Sequence, residues 1–396
     1  MKVLYVTPAY VPAWTFGGVV ASSHTMCKGM VSKGSDVTVY TTDAGLPRDD
    51  EGVQRGFRVI DGVKVYYFKC DSNRPIISRA LTTEIRKKIG EFDVMDLDAV
   101  WHPLSIGARR AAVKHGCPYV ISLHGALDPW SRAQKRLKKF LYYLFVERKN
   151  IKAAAGIRYT SKMEQEWSCS FTRPGKEQRV IPNGIDFQFW IRNAEAAKRW
   201  RAQAGIPSNC FLFLSVGRLH KAKGLDLVVN ALKSLHGQEW HMAFVGNDED
   251  GTRAKLARQV KELGLINHVS FHSTVPPSSL PAIYSAGDLF VLPSHHENFG
   301  NVVLEALVCG CPVLISDQVG IAGELHGIKG VEVRTRDLLL WSEALTRALS
   351  KKNDYRTNPS DREELVRKFS VGNCAARMIE LHRSVVAASR YNNGYR

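Results

Sequence analysis

The chain has 396 residues, 44% apolar and 23% charged, the composition of a soluble globular protein with room for two domains of ordinary size. No run approaches the roughly 20 apolar residues of a membrane-spanning helix. The opening VLYVTP is too short for a signal-peptide core, so the cytoplasm is the expected location.

A formal net charge of +17 asks for an acidic partner, but no recognised nucleic-acid motif accompanies it, and nucleic acid is not the expected one. The eight cysteines show no CxxC pair and no Cys/His cluster at metal spacing, so they read as buried free thiols.

In chain order, short apolar runs alternate with longer helical stretches, the pattern of parallel sheets with crossover helices. Val3 to Val6 read as a buried strand, Val19 to Lys33 as a helix and Asp36 to Thr41 as the next strand. Gly17-Gly18 opens that helix. Glycines at a strand-to-helix junction let a ligand or a neighbouring backbone come close, although no complete G-x-G-x-x-G is present. Further strands are expected at Val63 to Phe68, Val94 to Val100, Tyr119 to Leu123, Ile157 to Thr160 and Val180 to Pro182. His124-Gly125 and Asn183-Gly184 each follow one of them, at the carboxyl edge where open parallel sheets bind ligands.

Much of the positive excess lies in SRAQKRLKKFLYYLFVERKNIKAAAG, Ser131 to Gly156. Arg132, Lys135, Arg136, Lys138 and Lys139 run directly into the apolar block Phe140 to Phe145. Two readings stand equally: an ordinary surface helix packed on a sheet, or an element over residues 131–152 that meets an anionic membrane surface or a lipid acceptor.

After Asp186 a polar, helix-prone stretch leads to a second series beginning at Phe211 to Val216. A basic loop, Gly217 to Gly224, carries Arg218 and Lys223 ahead of a helix from Leu225 to Leu235. Met242 to Val245, Val269 to Phe271, Leu289 to Leu292 and Val313 to Ile315 continue the strands. The expected organisation is two doubly wound halves, 1–186 and 187–375, with a helical tail over 376–396 returning to the first.

The stretch LFVLPSHHENFGNVVLEALVC, Leu289 to Cys309, reads as strand, loop and helix. Its helix can aim free N–H groups and a positive dipole end beyond the strand, which suits a phosphate. Glu297 lies in the loop and Glu305 about one turn into the helix, so two carboxylates can flank a ligand whose anionic part lies between them. Taken singly, each reads as a solvated surface carboxylate. The Phe299-Gly300 turn between them favours the ligand.

Together PSHHENFGNVVLEALVCGCPVLISD, VGRLHKAKG, IPNGID, SLHGALDPW and the Gly17-Gly18 helix start resemble the retaining glycosyltransferases of family 4. The resemblance spans nearly the whole chain and implies an α/β GT-B fold, two Rossmann-like doubly wound domains facing a central cleft. It implies an acceptor-binding first domain and a nucleotide-sugar-binding second one. The implied enzyme is a metal-independent, retaining hexosyltransferase that needs no cofactor. It would move a hexose from a UDP- or GDP-sugar to a glycan or lipid-linked saccharide acceptor at the inner face of the plasma membrane, in cell-surface polysaccharide synthesis.

By the same resemblance, Glu305 accepts hydrogen bonds from the ribose hydroxyls and Glu297 faces the transferred sugar. Arg218, Lys223 and the helix after Gly300 hold the diphosphate. Gly17, Gly18, Asn183, Asn298, Phe299, Gly300 and Asn301 complete the donor site. His124 would stand near the reacting sugar and Asp128 would orient an acceptor hydroxyl, with a helix cap as its alternative role. No Asp-x-Asp motif, which the metal-dependent sugar transferases of the other large fold use to hold a divalent ion, is expected. Asn298 and Asn301 depart from the small and the aliphatic or proline residues common in the family, which leaves the sugar's identity open. Two other functions fit less of the pattern: a sugar-nucleotide epimerase of the same fold, and a non-catalytic basic protein binding membrane or nucleic acid.

Overall fold

The apolar runs become the strands of two sheets in two separate units. The computed structural model describes residues 1–46, 56–73, 75–172, 176–350 and 359–394. Contacts divide the chain into Met1–Gly184 with Lys368–Arg396, and Ile185–Arg367.

In the first unit the strands are β1 Lys2–Val6, β2 Asp36–Thr42, β3 Gly56–Ile60, β4 Val63–Phe68, the short pair β5 Ser72–Asn73 and β6 Ile76–Ile77, β7 Val94–Leu97, β8 Tyr119–Ser122, β9 Gly156–Tyr159 and β10 Glu177–Val180. Eight of them form one sheet in the order β10-β9-β8-β7-β1-β2-β4-β3. All neighbours are parallel except β3 and β4. That antiparallel edge was not among the expected strands, yet its signal is visible: Asp61-Gly62 stands between FRVI and VKVYYF, and both turn residues take positive φ, as a two-residue hairpin requires.

The last strand also shifts, from the expected Val180 to Pro182 to the polar Glu177–Val180, because an edge strand paired only with β9 has no need to be apolar. Two buried clusters line the two faces of the sheet. One includes residues of the Gly18–Ser32 helix and of the Val371–Gly394 helix, whose buried His382 Nε2 meets Asp96 Oδ1 on β7 at 2.9 Å.

The second unit holds β11 Phe211–Val216, β12 Trp240–Val245, β13 Val269–His272, β14 Leu289–Leu292, β15 Val313–Ser316 and β16 Val331–Arg334. All pairs are parallel, in the order β13-β12-β11-β14-β15-β16. This is the doubly wound dinucleotide-type order, whose strand sequence reverses between the first and fourth strands. The reversal here falls between β11 and β14. Both strands are buried along their whole length, so their carboxyl ends are rigid platforms for the loops beyond. β16 was not expected from sequence: all four of its residues are only partly buried, and Glu332 and Arg334 interrupt the apolar pattern.

Candidate active site

Gly217 to Gly224 follows β11, and Pro293 to Gly300 follows β14, so the two loops flank the switch point. Gly224 has φ +57, and a Cβ there would lie 2.1 Å from Arg336 Nη1 and 2.6 Å from the Pro293 carbonyl oxygen. Only glycine lets the first loop close onto the second. Arg336 also donates to the Pro293 carbonyl and lies 3.1 Å from His295 Nε2, while the His295 N–H donates to the Ala222 carbonyl at 2.8 Å.

The far side of the loop is stitched to the segment after β15. Glu297 N–H donates to Gln318 O at 3.1 Å, Gly320 N–H to Glu297 O at 2.8 Å, and Ile321 N–H to Phe299 O at 3.1 Å. Phe299 is buried, and Gly300 at φ +95 forms the N-cap of the Asn301–Val308 helix, where a Cβ would lie 2.8 Å from Val319 Cγ1.

This scaffold brings Lys223 and Glu297 into a direct ion pair between Nζ and Oε2, with side chains 18% and 22% exposed. Glu305, on the helix, accepts a hydrogen bond from Tyr284 Oη at 2.7 Å. Burial of its carboxyl pushes its pKa up to about 7, against the opposing pull of the Tyr284 hydroxyl and the Lys223 charge. One cation therefore acts on both carboxylates. Tyr284 lies on the Leu280–Ala286 helix, which enters β14 from the amino end, and no sequence motif marked it.

Arg218 stands apart from this cluster. Its Nη1 pairs with Glu249 Oε2 at 2.5 Å, with the guanidinium side chain 55% exposed. The expectation that Arg218 and Lys223 converge on one anion is not met by the present side-chain positions: a carboxylate on the loop after β12 holds Arg218 instead.

In the first unit the switch falls between β1 and β7. Gly17, at φ +73, caps the Gly18–Ser32 helix there. Asp98 lies just beyond β7 and is buried. Its Oδ2 accepts from Tyr5 Oη and Ser23 Oγ, each at 2.9 Å, and its Oδ1 lies 3.1 Å from His124 Nε2. Burial alone would raise the Asp98 pKa, but the His124 imidazole and the two hydroxyls outweigh it and hold the carboxyl below its ordinary value. His124 takes φ +47, the left-handed region costly to a residue with a Cβ, and Gly125 N–H is anchored on the buried Glu164 carboxylate. Asp98 thus stands beside the ring, although the sequence singles out His124 alone.

Asn183 Oδ1 accepts from Arg158 Nη2 at 2.9 Å; this buried guanidinium also donates to Ile181 O at 3.0 Å. Asp128 is buried and caps the Pro129–Ala133 helix, accepting from Ser131 N–H at 2.5 Å. Of its two expected roles, the cap is the one with a partner in place.

Asp-x-Asp does occur, contrary to the reading of the sequence, at Asp96-Leu97-Asp98 and Asp248-Glu249-Asp250. In the first, the two carboxylates stand two residues apart, on the same side of β7 and its end: Asp96 meets His382 and Asp98 meets His124. In the second, Asp250 accepts from Thr252 Oγ1 at 2.5 Å and Lys221 N–H at 3.2 Å, while Asp248 accepts from Arg253 N–H at 3.3 Å. Each carboxylate has its own protein partners.

The model of the Glycosyltransferase Family 4 domain matches residues 16–189, and that of Glycosyl transferases group 1 matches residues 196–364. The chain belongs to the family 4 glycosyltransferases and has their GT-B fold. An uncharacterized glycosyltransferase of Methanocaldococcus jannaschii is 28% identical over 407 residues, covering 97% of this chain and 98% of that protein. A D-inositol 3-phosphate glycosyltransferase of Corynebacterium jeikeium is 32% identical over 176 residues, 42% of each chain. Among solved structures, sucrose-phosphate synthase from Thermosynechococcus elongatus superposes with a TM-score of 0.77 at 19% identity, covering 98% of this chain and 100% of that one. HepE of Anabaena, solved with UDP and glucose, superposes with a TM-score of 0.73 at 20% identity, covering 96% and 98%.

Proposed function

We propose that the chain is a retaining hexosyltransferase that moves a hexose from a UDP- or GDP-sugar to a glycan or lipid-linked saccharide in the synthesis of cell-surface polysaccharide. The observation that carries this reading is the cluster at the second unit's switch point, where Lys223 pairs with Glu297 and its charge also reaches Glu305. Doubly wound sheets bind nucleotides in that crevice.

Glu305 accepts from the ribose hydroxyls, and its cost of burial is offset when those donors arrive. The diphosphate lies against Lys223 and the first turn of the Asn301–Val308 helix, near Gly300, with Asn298 and Asn301 as polar walls. Glu297 turns toward the sugar. As the bond between the anomeric carbon and the β-phosphate oxygen breaks, the leaving oxygen gains negative charge, which fixed positive groups stabilise more than they do the ground state. The acceptor hydroxyl oxygen attacks the same face, and its proton passes to the leaving phosphate. This charge balance requires no metal ion. On the first unit, Gly17, Gly18, His124 and Asn183 stand near the carboxyl edge of its own parallel sheet, with Asp98 beside the His124 ring. The cytosolic face of the plasma membrane is where such an acceptor is met.

Product analysis tests this reading. With a suitable acceptor, proton NMR is expected to show the donor's anomeric configuration preserved in the product, at a rate unchanged by EDTA. An inverted product, or an epimerised sugar nucleotide formed without acceptor, contradicts it.

A further inference from the structure

The basic segment of the first unit folds as the Arg136–Tyr142 helix, a π-helical turn over Tyr143–Glu147 and the Arg148–Ala153 helix. Its apolar face is buried only in part: Tyr143 packs against the core, and the rest is left open. Leu137 is 72% exposed, Phe140 57% and Phe145 68%. Beneath it lies a cavity of about 790 Å3 whose walls include Trp101, Leu127, Phe140, Tyr143 and Phe171.

Three cations share those walls: Arg132, Arg136 and Lys139. Arg132 lies 4.5 Å over the Phe171 ring and donates to the Leu127 carbonyl at 2.9 Å. Lys139 Nζ lies 5.3 Å from the Trp101 ring centroid and donates to Ser131 O at 2.6 Å and Ser131 Oγ at 2.8 Å. Among the described residues none of the three has a carboxylate within ion-pair distance. Burial lowers the Lys139 pKa, against the opposing pull of the Asp128 carboxylate and with a smaller push from Lys135. Cations among aromatic rings, with no carboxylate at ion-pair distance among the described residues, are complementary to an anion carried on an apolar body.

The pocket is built before any ligand arrives. Trp101 sits at φ +67, its N–H donates to the buried Glu147 Oε1 at 2.9 Å, and its indole N–H donates to Ala126 O at 2.8 Å. That last bond ties the loop after β7, which carries Asp98, to the loop after β8, which carries His124. The pocket therefore takes part of its wall, Trp101 and Leu127, from the loops that carry Asp98 and His124.

We propose that this pocket anchors a lipid-linked acceptor: Arg132, Arg136 and Lys139 bind its phosphate or diphosphate, and its hydrocarbon chain lies among Trp101, Phe140, Tyr143 and Phe171. This narrows the acceptor class and rests on the transferase reading above. A bilayer surface alone would need the exposed residues but not the cavity, nor the inward cations Arg132 and Lys139.

The test is a calorimetric titration of the full chain with dodecyl phosphate below its micelle concentration. Saturable binding is expected at one site per chain, at least about ten-fold tighter than dodecanol or inorganic phosphate. Arg136→Gln and Leu137→Gln alter exposed side chains, so each is expected to keep the wild-type unfolding midpoint and to weaken binding about ten-fold. The proposal is overturned if dodecyl phosphate binds no tighter than either control, if both variants bind as the wild type does, or if anionic vesicles bind while the monomeric amphiphile does not. No sugar nucleotide enters this titration, so its failure leaves donor use untouched, and a chain that ignores all sugar nucleotides would leave its result intact.

Discussion

Lys223 and Glu297 form an ion pair at the point where the second sheet reverses its strand order, one residue from each of the two loops that flank the switch. Without donor the pair is self-neutralising. On the proposed reading, a bound donor would give the ammonium its diphosphate and release the carboxylate toward the sugar. Lys223→Ala is therefore expected to lower kcat by about 10²–10³-fold, the range for removing one group that stabilises a developing oxyanion. Steady-state kinetics at saturating donor check this; a change confined to KM would place Lys223 in ground-state binding only.

Arg218 makes the contrasting case. Exposed and already paired with Glu249, it is expected to matter less. Arg218→Ala should lower kcat/KM by no more than about ten-fold, well short of the Lys223 variant. Equal losses in the two variants would mean that Arg218 leaves Glu249 and swings onto the phosphates.

Glu305 sets function against stability. Its folded pKa of about 7 lies above the ordinary carboxyl value. Between those two values the folded chain holds a proton that the unfolded chain has released, so this contribution to stability is complete at low pH and is lost as pH rises through 7. Glu305→Gln, neutral at every pH, is expected to unfold at a higher temperature than wild type at pH 8 and to bind sugar nucleotide more weakly. Thermal unfolding across pH 5 to 8 decides it, and a variant less stable at pH 8 contradicts it. Glu147, raised to about 7 by burial against the hydrogen bonds from Asn150 and Trp101, has the same sign, so Glu147→Gln should flatten part of the same slope.

Asp98 acts through His124. Asp98→Asn keeps the size of the side chain but removes the charge beside the ring. It is expected to cut transfer by about 10–100-fold, with donor binding by the second unit unchanged. A double variant separates positioning from simple damage: Asp98→Asn should cost little more in a His124→Ala background, and an undiminished further loss would assign Asp98 a purely structural role.

Much of the geometry of this candidate site was legible in the residues because tight loop closures leave local marks. Glycines occur where loops must close, as at Gly224 and Gly300, and Glu297 and Glu305 bracket a turn that starts a helix. What was not legible depends on partners far apart in sequence. Glu249 claims Arg218 from the next strand's loop, Tyr284 reaches Glu305 from a preceding helix, and Asp98 reaches His124 across a strand pair. None has a spacing signature.

Among strands, the buried runs at β11 and β14 announced themselves, whereas β10 and β16 did not because edge positions tolerate charge. The basic segment was ambiguous for a related reason. Its composition suits either a packed helix or an exposed one, and only tertiary placement leaves Leu137 and Phe145 in solvent.

The most direct measurement is calorimetric titration of wild type, Lys223→Ala and Glu305→Ala with UDP-, GDP- and ADP-hexoses. Wild type is expected to bind one nucleotide class saturably, and each variant to bind it at least about ten-fold more weakly while retaining its fold. If wild type binds none of them, or both variants bind as wild type does, the switch point of the second unit is not a donor site.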